Sequence, residues 1–467
     1  MGTLTDHALG RNLRFFVVKE DSSDPGGKYG EALQKALTGS NAAKVLSTSM
    51  EFTVGRTDRT DSRSTRSVLE RITGKQEISW SCESYLMPRG GTDKPNIDPL
   101  IEATIGGAIG ATKSISAATK ANPCVVTATA HGFSTGDRVH IASVSGMTQL
   151  NDLTFTITKV SDNTFSLDGI DSSSYGTYSS GGTITLLTYR PTDANDLPTL
   201  RMARTANGVL REDLFGAYCD EMTISVDGAS EPRITFSGGA FNYALTGTGA
   251  ADGAGSGVAA LSTHSGEGVN FMVGSVITLN GAERTILAKT GADALTLSAS
   301  HSWDNDAAIT PSTYTEVTHG NPINGITGSL TLNSVELPVT AFDCTFSNQV
   351  KALSDEAFEK GTSDFVAGFR TVTGTVTVRA RKDFLKSYAA RYVQTTATAD
   401  PTFASVPLVV SLGSTSGKIL KVHFPTVELD FGAVDIPESD EAVLNIPFTA
   451  LGSSGGDEFL FSWNQTS

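Results

Sequence analysis

The residues of this chain that could do chemistry are mostly carboxylates and arginines, and their spacing points to surfaces rather than to a catalytic centre. Arg56, Arg59, Arg63, Arg66 and Arg71 are spread through GRTDRTDSRSTRSVLERITGK (55–75), interleaved with Asp58, Asp61 and Glu70. A polar connection of that length between strands is either a solvated loop or a basic arm that docks on an acidic neighbour. Glu428 and Asp430 alternate with Val427, Leu429 and Phe431, so they occupy the polar side of a strand. Asp435, Glu438, Asp440 and Glu441 could attract a cation, but their spacing fits no calcium loop and reads as a charged, solvated turn. His131 in AHGF and His423 in KVHF read as ordinary turn and strand-surface residues. There is no HExxH and no Walker-type loop. GTGAADG (247–253) lacks a strand–turn–helix setting, and GSTSG (413–417) has Thr415 where an elbow nucleophile would be serine. These patterns predict a protein that is not an enzyme and has no metal or cofactor.

The totals narrow the classes further. A chain of 467 residues has room for about three domains. Its 50 acidic against 35 basic residues give a net charge of −15, which argues against a surface that grips nucleic acid through clustered cations. Cys82, Cys124, Cys219 and Cys344 are far apart and form no CxxC pair, so they read as small buried apolar residues of a reducing compartment. The start, MGTLTDHALGRNLRFF, shows no basic-then-apolar signal, and no run approaches the ~20 apolar residues of a membrane span. The expectation is synthesis and assembly in a cytoplasm.

The elements that would carry these residues are short strands, and the fold class is mainly β. In KILKVHFPTVELDFGAVDIPESDEAVLNIPFTAL (418–451), Leu420, Val422 and Phe424 alternate with Lys421 and His423, Pro425 interrupts, and Val427, Leu429 and Phe431 resume. Leu444, Ile446 and Phe448 form a third strand. Asp98–Gly106 reads as a short helix with Asp98 as cap, and FLKSYAARYVQ (384–394) as a helix flanking the sheet. Character changes twice. Residues 113–187 are Thr- and Val-rich strands with Asn/Asp/Gly turns, and 247–316 follow the glycine-rich GTGAADGAGSG, so each reads as a small inserted β-barrel. The body is then 1–112, 188–246 and 317–467. Phe133-Ser-Thr-Gly136 and Phe271-Met-Val-Gly274 precede matching strands, which suggests that the second insert is a diverged relative of the first.

Two resemblances add to this reading. ATAHGFSTGDRVHI and FTITKVSDNTFSLDGI resemble the small β module named after the first catalytic cysteine half-domain of ubiquitin-activating enzymes, a module without a nucleophile. In the body, NGITGSLTLNSVELPVTAFDCTFSNQV, SDFVAGFRTVTGTVTVRA, DFLKSYAARY and VHFPTVELDFGAVDIPESDEAVLNIPFTAL resemble, in that order, the tail tube (major tail) proteins of long, non-contractile-tailed bacteriophages. That second resemblance implies a β-sandwich with a flanking helix, six-copy rings that stack into a hollow tube in the virion tail, and passage of phage DNA without specific binding. It implies a tape measure protein in the lumen beforehand, with tail terminator and distal tail proteins at the ends. The arginines of 55–75 would reach an adjacent subunit. Glu428, Asp430, Glu336 and Asp343 are the candidates for an acidic lumen lining, and the inserts would project outward, where they could meet host surface glycans. The competing reading is a phage or bacterial surface adhesin made of β domains.

Overall fold

Alternation of apolar and polar side chains, sustained strand after strand, builds this protein. The structure is a computed structural model and describes residues 12–20, 35–59, 67, 70–193, 197–206, 208–228, 230–317, 319–324, 327–353, 361–362, 364–379, 406–430, 433–435, 442–453 and 455–466. It is mainly β. In chain order come β1 (Leu13–Lys19), β2 (Ser47–Asp58), β3 (Arg71–Tyr85) and helix α1 (Asp98–Ile105). After residues 112–186, which form a sheet of their own, come β4 (Leu200–Ala206), β5 (Leu210–Asp227) and β6 (Arg233–Gly239). A second separate sheet intervenes, and then follow β7 (Gly328–Leu332), β8 (Val339–Ser347) and β9 (Thr371–Arg379). The chain ends with β10 (Val406–Leu412), β11 (Ile419–Leu429), β12 (Val443–Ala450) and β13 (Leu460–Gln465).

The first body sheet is antiparallel, in the order β2-β3-β6-β5-β8-β9-β12-β11. The second runs β7-β10-β11-β13 and adds the two-residue strand Thr188–Tyr189. Two strands serve more than one layer. The 18-residue β5 pairs with β6 and β8 through its C-terminal half, and with β4 and Asn242–Thr246 through its N-terminal half.

β11 corrects the expectation that Pro425 ends a strand, because one 11-residue strand runs through it. The proline lies in a bulge of β11, where Pro425 and Thr426 face the single residue Pro407 of β10 and β11 exchanges β13 for β12 as neighbour, a place with no ladder N–H to lose. The side-chain phase shifts there: Leu420, Val422 and Phe424 are buried before it, and Val427 and Leu429 after it.

The two inner faces meet in one core. Phe424, 0% exposed, stands edge-on to Phe448 (ring centroids 5.2 Å) and Phe459 (5.6 Å) and lies 6.5 Å from Phe342. Gly374 leaves the room for this, since a Cβ there would sit 2.6 Å from the Phe448 ring and 2.2 Å from the Asp343 carbonyl. All four cysteines are buried and free, as core residues. Helix α1 buries Leu100 through Ile105 and ends on Gly106 at φ +88°. Asp98 does not cap it as expected. Its carboxylate instead accepts hydrogen bonds from Tyr189 Oη (2.6 Å) and Lys94 Nζ (3.0 Å), while Glu102 accepts from Lys94 (2.8 Å) and Lys19 (2.9 Å). The expected helix at 384–394 lies outside the described residues.

The two separate sheets share a plan. The first holds the strands between Thr112 and Leu186, and the second those between Gly249 and Pro311. With the two-residue strand Ala117–Ala118 set aside, each has six strands, and in both the sheet order is 1-6-3-4-5-2. The turns correspond as well. Gly136 (φ +87°) donates to the Ile157 carbonyl and Gly274 (φ +94°) to the Ile286 carbonyl, each at 2.8 Å. Both turns rest on the body: the Asp137 carboxylate accepts from Arg190 Nη2 at 2.9 Å, and Ser275 Oγ donates to the Leu245 carbonyl at 2.9 Å.

Phe424→Ala removes the ring at the meeting point of both sheets. The expected loss of stability is about 3–5 kcal/mol, read from denaturant unfolding of the purified protein.

Candidate functional surface

The outward face of the first sheet follows from the same alternation. One cross-strand row reads Ser47, Glu83, Thr235, Thr223, Thr345, Thr373, Thr449 and Glu428, from one edge to the other. A second reads Ser49, Ser81, Ser237, Glu221, Ser347 and Thr371. None of these side chains is buried, and neighbouring hydroxyls hydrogen-bond across strands, Thr223 with Thr345 at 3.1 Å and Ser49 with Ser81 at 2.9 Å. The charges on this face are mainly acidic: Glu51, Glu77, Glu83, Glu221, Asp227, Asp343, Glu428 and Asp430, against Lys75, Arg233 and Arg379. Arg233 is already paired with Glu83 at 3.1 Å. Partial burial raises the Asp343 carboxyl above its ordinary pKa, and the Thr375 N–H offsets part of that rise. A wide surface of hydroxyls and carboxylates presents few cations to a phosphate backbone.

Three of the four expected lining residues share this face. Asp343 lies opposite Ser225 and Thr375, Glu428 opposite Thr449, and Asp430 follows Glu428 two residues on, exposed. Glu336 does not join them. It lies on the short strand Val335–Glu336 beside β7, at the end of the cleft between the sheets. Of the expected arm, Arg63 and Arg66 lie outside the described residues. The ends of the 55–75 connection are not loop: β2 and β3 pair on through Arg56↔Thr73 and Asp58↔Arg71, a ribbon that continues past the last β6 partner at Ser79. Arg59 pairs with Glu70 at 2.6 Å and Arg71 with Asp58 at 2.7 Å, so both are engaged within the ribbon, and Arg56 is exposed on it. Ile72 is 58% exposed on this ribbon, and such a two-stranded projection gains little stability on its own.

The outward face of the second sheet is different, because the first module covers it. Lys421 lies opposite Ser462, Ser462 opposite Thr188, and Thr188 Oγ1 accepts from the Arg138 N–H of the module at 2.8 Å. Arg138 Nη1 donates to Gln465 Oε1 at 3.1 Å, and Thr154 and Thr466 join their hydroxyls at 2.9 Å. His423 is therefore part of a covered junction and not the solvated surface residue expected. Burial and its neighbours Arg138, Arg190 and Lys421 press its pKa down to about 4. Burial and Arg138 bring Lys421 down to about 8, and burial alone brings Arg138 to about 10. His131 is buried between the Phe133 and Phe165 rings, with Nε2 at 2.9 Å from the Ser161 carbonyl, and is part of the module's core. Among the described residues no group of three or more His, Cys, Asp or Glu is placed to hold a metal ion.

The hydroxyl face was legible in TVTGTVTVR (371–379), whose alternate threonines all fall on it. The junction was not, since nothing in the sequence says which polar strand face a distant module will cover.

Residues 121–187 match a family model, the ubiquitin-activating enzyme E1 FCCH domain. No curated protein matches the chain. The match supports the resemblance of the first module. It also corrects the expectation that the chain is not an enzyme: the matching family belongs to an enzyme, the ubiquitin-activating enzyme E1, although the matched domain is itself a small non-catalytic module.

The junction predicts a pH response. Folded His423 takes up its proton only near pH 4, whereas an unfolded histidine does so near ~6.5. The unfolded state thus binds more protons between these values, and stability falls as pH drops below 6.5. This group should cost about 2 kcal/mol between pH 6.5 and pH 5. Urea unfolding at a series of pH values should show a clearly shallower decline for His423→Gln than for the wild type.

Proposed function

We propose that this chain is the structural subunit of a phage tail tube, in which copies form rings and rings stack around a channel for DNA. One observation carries the reading. The acidic, hydroxyl-rich face and the face covered by the first module are the two opposite outer sides of one sandwich. In a ring only one of these sides can face the channel, and a module of this bulk on every copy would fill it. The uncovered side therefore lines the lumen, where carboxylates repel phosphate and keep DNA free to slide, while cations would hold it through counterion release. Strand β2 supports ring formation, because it pairs only with β3 among the described residues and leaves an open edge for a neighbouring copy. The projecting ribbon, with Arg56 and Ile72 exposed, would then lie against that neighbour. In this role the protein is part of the virion tail and is assembled in the host bacterial cytoplasm. Its partners are further copies of itself, a tape measure protein in the lumen, and terminator and distal tail proteins at the ends.

Negative-stain electron microscopy of the concentrated, purified protein should show hollow tubes or six-fold rings with knobs on the outside. A monomer that binds host surface glycans through its modules would favour the adhesin reading instead.

The modules should be separable from tube formation. Thr112 pairs with Thr185, so the chain enters and leaves the first module at adjacent points. Replacing residues 113–186 with a short glycine linker should leave tubes that are narrower on the outside and unchanged in the bore. Loss of tubes on this deletion would refute the outward placement.

A further inference from the structure

We propose that successive copies along the tube lock head to tail, with Phe369 of one copy seated in the cleft at the far end of the sandwich of the next. This rests on the tube reading and adds the contact that stacks its rings. Phe369 is 90% exposed, on the loop that leads into β9, and Val366 beside it is 47% exposed. The loop is pinned where β8 ends, since Gly368 N–H donates to the Asn348 carbonyl at 2.9 Å and Thr371 lies opposite Ser347. At the other end of β8 the two sheets part in an open cleft of about 120 Å³, where Leu330, Phe342 and Leu412 stand beside Ser329, Glu336 and Thr340. The nine residues of β8 separate knob and cleft by about 30 Å along the strand.

A knob and a hole at opposite ends of one subunit are complementary between copies but not within one. A contact of this kind is heterologous, so it propagates along an axis instead of closing as a dimer. The charges nearby agree with this pairing. Lys351, opposite Val366 at the knob end, meets Glu336 at the rim of the cleft. The acids beside the knob are already engaged, Asp193 by Arg370 and Asp364 by the Phe365 N–H.

The test uses cysteine pairs in the full chain, where the native cysteines are buried and silent. Phe369→Cys combined with Ser329→Cys, an exposed residue on the rim, should give on mild oxidation a ladder of dimers, trimers and longer covalent chains. Each single variant should give dimers at most. Phe369→Asp, at a site too exposed to disturb folding, should abolish stacking and leave isolated rings. If Phe369→Asp still forms full-length tubes, or the double variant gives no chains longer than the singles do, the contact is wrong while the tube reading stands. A ladder in a protein that never forms hollow tubes would keep the contact and reject the tube.

Discussion

Strand β11 belongs to both body sheets, and the change of phase at Pro425 is what lets one strand supply an inner face to each. Before the proline its outward residues are Lys421 and His423, and after it Glu428 and Asp430. Its inward residues, Leu420, Val422, Phe424, Val427 and Leu429, all reach the same core. A proline removes a backbone donor and in mid-sheet would break a ladder, but at a bulge between two partners there is no bond to break. Register then does the rest. A slip of one residue in β8, β9 or β12 would turn Asp343, Thr375 or Thr449 into the core, so the pairing of the sandwich is closely specified. The separation of a basic, covered side from an acidic, open side is a direct consequence.

The two modules extend the same logic. They share strand order and the Phe-x-x-Gly turn, and both set that turn against the body, one through the Asp137–Arg190 pair and the other through Ser275 and the Leu245 carbonyl. A module that enters and leaves at paired residues adds a domain without lengthening the path between body strands. The body can therefore resume its sheet after each interruption, as β4 and β7 do. The second module is also tied through the fully buried Arg211, which pairs with Asp213 at 2.7 Å and donates to the Ser312 carbonyl at 2.9 Å. Burying that charge is tolerable only because both partners go in together.

Much of this was readable in the sequence. The alternation of Leu444, Ile446 and Phe448, and of the threonines of β9, assigns face as well as strand, and three of the four acidic residues chosen for one surface do share it. Glu336 lies apart from them, on a two-residue strand at a sheet edge that has no alternation to read. The arginines of 55–75 looked like an unstructured arm because Gly55 and Gly74 and the charges around them obscure a ladder whose outer strands bury nothing. His423 was misjudged for a different reason. Its polar side of the strand is covered by residues nearly 300 positions earlier in the chain, such as Arg138, and local pattern carries no information about such contacts. Asp98 likewise had the sequence position of a cap, but Tyr189 and Lys94 claim its carboxylate.

In the proposed particle the hydroxyl and carboxylate face of the first sheet looks inward and the first module outward. Accessibility of single cysteines to a bulky maleimide tests it directly. Thr373→Cys on the face and Val160→Cys on the module are both exposed positions in the single chain, so both should react fully before assembly. After assembly Val160→Cys should remain reactive and Thr373→Cys should become protected. Full labelling of Thr373→Cys in intact tubes, or protection of Val160→Cys instead, would contradict it.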